Sequence, residues 1–104
     1  MTEVEKQTKA LAAAIRKSSE QEGYTRAYAK LCMRPELLGR LNKFRRKYFF
    51  LLNTPEGEER IQNILKLEHD FADVLGESIV RDFLAAQQRL CMMVKDIYRV
   101  LDDA

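Results

Sequence analysis

Two heptad stripes lie side by side in the last quarter of the chain, and they restrict it to long packed helices. The first runs Ile79, Phe83, Ala86, Leu90, Met93, Ile97, Val100, in alternating steps of four and three. The second, one residue over, runs Val80, Leu84, Gln87, Cys91, Val94, Tyr98, Leu101 with the same steps, and only Gln87 in it is polar. A single a/d seam serves one partner helix. A doubled seam covers the wider apolar arc of a helix packed on two sides. One side suits the chain's own fold and the other suits a second chain. The pattern speaks of assembly, and the residues name no reaction or ligand.

The length of 104 residues fits one small domain spanning 1–104. Only four Gly and two Pro punctuate it, which favours a few long helices over many short strands. With 46% hydrophobic and 33% charged residues, the composition is that of neither a disordered acidic tail nor a membrane protein. No apolar run reaches transmembrane length, and the polar start Met1-Thr2-Glu3-Val4-Glu5-Lys6 shows no secretory signal. The two Cys, Cys32 and Cys91, are too sparse for a disulfide scaffold. A reducing, cytoplasmic setting is therefore expected. A net charge of +2 makes no strong case for nucleic acid.

The spacing predicts an all-α fold: an antiparallel helical bundle or hairpin of about five helices with a long, coiled-coil-like C-terminal helix. The first spans 2–17, with Val4, Thr8, Leu11 and Ile15 on one face and alanines between them. It is expected to pack loosely or on a neighbour. Ser19 with Glu22 fits a capping box and opens a second helix carrying Tyr24, Ala27, Tyr28 and Leu31. Pro35 opens a third, with the seam Leu37, Leu41, Phe44, Tyr48, Leu51. Thr54 reads as an N-cap and Pro55 as the first residue of a fourth helix, whose face is Ile61, Ile64, Leu67, Phe71, Val74. Gly76 suits a helix stop, and Ser78 a cap for the fifth and longest helix. Short connections favour antiparallel neighbours.

This order of elements resembles the YlbF/YmcA family, including its YheA-type members. The resemblance rests on Leu11-Ala12-Ala13-Ala14-Ile15-Arg16-Lys17-Ser18, on Tyr24 to Leu31, on Pro35-Glu36 with Leu41-Asn42-Lys43-Phe44-Arg45, and on Phe83-Leu84-Ala85-Ala86-Gln87-Gln88-Arg89-Leu90 running on to Ile97. It covers nearly the whole chain, through helix patterns with no catalytic signature. The chain departs from the family pattern at Arg34, where a capping Asn or Asp is usual, and at Gly76-Glu77-Ser78, where many members have Asn-Pro. The resemblance implies a self-associating, non-enzymatic cytoplasmic protein of bacteria. It also implies complexes with related proteins, tied to competence, sporulation and biofilm formation, and to messenger RNA processing by RNase Y. Some members are associated with iron–sulfur clusters through C-terminal cysteines. Cys32 and Cys91 do not reproduce such a motif, and no cofactor is expected.

The surface expected to join copies, a homodimer first of all, comprises Tyr48, Phe49 and Leu52 on the third helix and Val80, Leu84, Cys91, Val94, Tyr98 and Leu101 on the last. Phe49 and Phe50 diverge by roughly 100° on a helix, so one partner cannot take both. They suit a buried helix end or a subunit contact. The basic residues Arg40, Lys43, Arg46 and Lys47, with Arg34 nearby, form the sharpest charge feature. They suit an RNA or acidic-partner patch, which makes direct RNA binding the alternative function. They equally suit a solvated face answered by the Glu-rich start of the fourth helix. His69 stands alone and reads as exposed, since a metal site needs several converging ligands. Cys91, lying in the second stripe, reads as a small core residue. Met93 reads as packed and Met92 as an exposed contact. No Ser-His-Asp set, glycine-rich phosphate loop or zinc-protease pattern occurs, so no catalytic or metal residues are assigned.

Overall fold

The computed structural model describes residues 1–104 and contains six helices and no strand. They are α1 (Glu3–Arg16), α2 (Ser19–Cys32), α3 (Pro35–Leu52), α4 (Glu58–Asp70), α5 (Ala72–Leu75) and α6 (Ser78–Asp102). The chain is therefore all-α. No helix is long and apolar enough to cross a membrane. Two compact units divide it: Met1–Ala29 with Phe83–Ala104, and Lys30–Asp82.

In the central unit α3 turns back on α4 and α5 as an antiparallel hairpin. Phe44 packs on Phe71 with ring centroids 5.6 Å apart, and Arg40 pairs with Asp73. Toward the base of α3, Arg34 lies 3.8 Å from Glu77. As residue numbers fall along α3, those opposite them rise. The core here is Leu31, Leu37, Leu41, Leu67, Phe71, Val74 and Val80, all buried. Full burial of a leucine-sized side chain contributes about 1.5–3 kcal/mol, so this apolar set holds the hairpin. The surface ion pairs add little by comparison.

In the terminal unit α2 and α6 lie antiparallel. Phe83 is buried between Tyr24 and Tyr28, with centroid distances of 5.4 and 5.9 Å. Farther along, Ser19, Glu20, Gly23 and Arg26 share a cleft with Arg89, Met92, Met93 and Asp96. Helix α1 has no buried residue; Val4 and Leu11 are exposed and Ile15 is half-buried.

Several expected boundaries are corrected. The cap of α2 is Ser18, not Ser19: its hydroxyl accepts from the Gln21 N–H at 3.1 Å and its carbonyl accepts from Glu22 at 3.0 Å. Thr54 does not open α4; its hydroxyl donates to the Leu51 carbonyl at 2.6 Å and so closes α3. Gly57 takes the cap position instead, at φ 143°, where a side chain is disfavoured. The single fourth helix of the sequence reading is broken at Phe71, giving α4 and the one-turn α5. Gly76 keeps a right-handed φ of −83°, so it is not the left-handed stop its type suggests. The Glu77 carbonyl accepts from Arg81 at 3.0 Å, which puts the cap position at Glu77 and makes Ser78 the first residue of α6 rather than its cap. Ile61, expected on the core face of α4, is exposed.

Candidate interaction surfaces

Helix α6 positions the second stripe, and burial divides it by depth along the helix. Val80 is 0% exposed, so it belongs to the core of the central unit and offers nothing to a partner chain. Leu84, Gln87 and Val94 are half-buried. Cys91 is exposed, which corrects its reading as a core residue. At the outer end Tyr98 is 62% and Leu101 56% exposed. The first stripe is buried at Phe83 and Ala86 and half-buried from Leu90 to Ile97. The chain therefore packs the first stripe as far as Ile97 and leaves the outer ends of both stripes, Val100 (70% exposed), Tyr98 and Leu101, uncovered.

A second surface lies on the α3–α4 hairpin. A groove of about 420 Å³ opens there, with Phe50, Leu51 and Leu67 as its apolar lining. Arg46 and Lys47 from α3 and Lys66 from α4 rim it, with Asn63 and Asp70. Phe49 and Phe50 are each 70% exposed, so the α3 end is not the buried terminus that one reading allowed. Tyr48 is half-buried against Phe44 at 5.8 Å, and Leu52 is exposed at the turn. Of the expected contacts on α3, Phe49 and Leu52 present free apolar surface. Of the groove residues, Phe50 was read from sequence as a buried helix end or a subunit contact, while Asn63, Lys66 and Asp70 were missed. Their signal is the polar strip Asn63, Lys66, Asp70 beside Leu67 at helical spacing.

The basic strip is not a uniform field. Arg40 pairs with Asp73 and lies 5.4 Å from the Phe71 ring, and Lys47 lies 5.9 Å from the same ring. Its answering carboxylate is thus Asp73 of α5, not the Glu-rich start of α4. The Arg40 hydrogen bond is the leading cause holding the Asp73 carboxyl below its ordinary pKa. Lys43 and Arg46 are exposed. Arg34, in the cap position of α3, makes no side-chain cap; its guanidinium reaches Glu36 at 3.3 Å. Glu36 is also held below its ordinary pKa, first by a backbone N–H bond at the helix start and then by Arg34.

His69 and Cys32 are exposed, Met92 is exposed and Met93 half-buried. No group of three or more His, Cys, Asp and Glu side chains converges. The chain presents an amphipathic terminal helix open at its outer end and a helical hairpin with an apolar groove. These features define an all-α protein built around exposed helix faces.

The chain belongs to the family described as Control of competence regulator ComK, YlbF/YmcA, whose model matches residues 4–104. That description makes it a regulatory protein of the YlbF/YmcA type. No curated protein and no solved structure matches the chain.

Proposed function

We propose that this protein is a non-enzymatic adaptor that regulates by self-association and by contact with other proteins in the bacterial cytoplasm. The candidate partners, taken from the resemblance to this family, are related YlbF/YmcA proteins and RNase Y. The candidate processes are competence, sporulation, biofilm formation and RNase Y-dependent mRNA processing. The observation that carries the reading is the outer half of α6, where Tyr98 and Leu101 continue an apolar stripe into solvent. Contiguous apolar surface of this kind marks interaction sites on small proteins. RNA binding through Arg40, Lys43, Arg46 and Lys47 has weaker support, because Arg40 is already committed to Asp73 and Phe71.

Solution mass by light scattering across a concentration series tests the reading. The wild type is expected to form an oligomer, and Tyr98→Glu/Leu101→Glu to fall to monomer with its helical circular dichroism intact. A wild type that stays monomeric at every concentration removes self-association from the proposal.

A further inference from the structure

We propose that the groove between α3 and α4 receives the outer end of α6 from a second copy of this chain. Tyr98 and Leu101 of that copy fill the apolar lining, and Asp102 and Asp103 meet the cationic rim. The inference rests on the self-association reading and assigns its second surface.

The groove selects for a particular chemistry. Its lining is apolar at Phe50, Leu51 and Leu67, while Arg46, Lys47 and Lys66 outnumber the single carboxylate of Asp70. A complementary segment carries exposed apolar side chains followed by carboxylates. The end of α6 has that order: Tyr98 and Leu101 are exposed, and Asp102 and Asp103 follow. On a helix Tyr98, Leu101 and Asp102 share one side, since they are three and four residues apart.

Electrostatics separates this segment from the acidic and apolar start of α4. Helix α4 also exposes Ile61 and Leu65 near Glu58. Glu58, however, sits in the first turn, where the helix dipole favours it, and it accepts a hydrogen bond from Gln62 at 2.9 Å. Asp102 and Asp103 stand at the C-terminal end of α6, where the dipole disfavours carboxylates. The neighbouring Arg99 is taken by Asp96 at 3.3 Å. Neither Asp102 nor Asp103 has an ion-pair partner within the chain, so that end of α6 gains most from an external set of cations. A stable interface takes about 20–30 residues a side, far more than one groove seats, so the contact is expected twice, reciprocally, across a two-fold axis.

Charge exchange tests the pairing in the full chain, with dissociation constants from light scattering or sedimentation. Arg46→Glu/Lys66→Glu and Asp102→Lys/Asp103→Lys are each expected to weaken association about tenfold or more. Combining all four substitutions is expected to bring it back to within about threefold of wild type, the signature of direct coupling. All four positions are exposed, so each variant is expected to fold, and two independent pairs keep the test open should one fail. A wild type that associates while groove reversal leaves the constant unchanged overturns the groove assignment and leaves self-association standing. Loss in both pairs without recovery in the combination also overturns it. A monomeric wild type overturns both.

Discussion

Arg40 of α3 pairs with Asp73 of α5, and the same guanidinium lies 5.4 Å from the centre of the buried Phe71 ring. One side chain thereby bridges the two arms of the hairpin and answers the one-turn helix that follows the break at Phe71. This has a consequence at low pH. Asp73 is held below its ordinary value of 3.8 chiefly by its hydrogen bond from Arg40. A carboxylate depressed in the folded state contributes stability that is present above its unfolded pKa and lost as pH falls through the folded one. Wild type is therefore expected to lose hairpin stability below pH 3.8 more steeply than Asp73→Asn. Thermal melts from pH 5 down to 2 check it; parallel curves for the two proteins count against a contribution from Asp73.

Glycine substitutions are expected to act in opposite directions at two positions that both have open space. Gly39 lies inside α3, and a Cβ there meets nothing within 4 Å. Gly39→Ala is expected to stabilise by about 0.5–1 kcal/mol through helix propensity. Gly57 is equally uncrowded, yet its backbone stands at φ 143° and ψ −170°. Gly57→Ala is expected to cost on the order of 1–3 kcal/mol, because that region is closed to L side chains. Urea midpoints for the two variants decide the matter, and a shift of the same sign in both contradicts the backbone assignment.

The helical periodicity was legible in the residues because burial follows it directly. Leu37 and Leu41 on α3, and Phe83 and Ala86 on α6, are buried as their heptad steps require. Ends were harder, because neighbouring residues offer the same chemistry. Ser18 and Ser19 have identical hydroxyls, and only the fold selects Ser18. Thr54-Pro55 carries the local pattern of a helix start, yet Thr54 satisfies the end of α3, and the glycine at 57 sets where α4 begins. Phe50 reads by itself as a candidate contact, but its pairing with Lys66 in a groove was not legible, since the two come together only when the hairpin closes. Cys91 shows the remaining limit: its stripe position is apolar by pattern, but the chain supplies nothing to cover it.

The corrected cap register yields its own test. The Ser18 hydroxyl accepts from the Gln21 N–H, while Ser19 only donates to Glu20 at 2.9 Å on the surface. Ser18→Ala is therefore expected to destabilise by about 1 kcal/mol, within the usual range for a lost N-cap. Ser19→Ala is expected to stay within about 0.5 kcal/mol of wild type. Chemical denaturation of the two variants compares them directly; the larger loss at Ser19 restores the capping box expected from sequence.

Core truncations are expected to separate the two compact units. Leu41 is 0% exposed in the central unit, and Phe83 is 1% exposed in the terminal one, held between Tyr24 and Tyr28. Leu41→Ala is expected to cost roughly 2–5 kcal/mol and Phe83→Ala roughly 3–5 kcal/mol, the transfer loss plus the cavity left behind. Hydrogen exchange followed amide by amide reads where each loss falls. In Leu41→Ala the faster exchange is expected first across α3 and α4, whose shared core it removes. In Phe83→Ala it is expected first in the outer part of α6 and the Ser19–Tyr28 part of α2, whose aromatic contact depends on that ring. Identical exchange patterns in the two variants would show that 30–82 and the terminal segments unfold as one cooperative body.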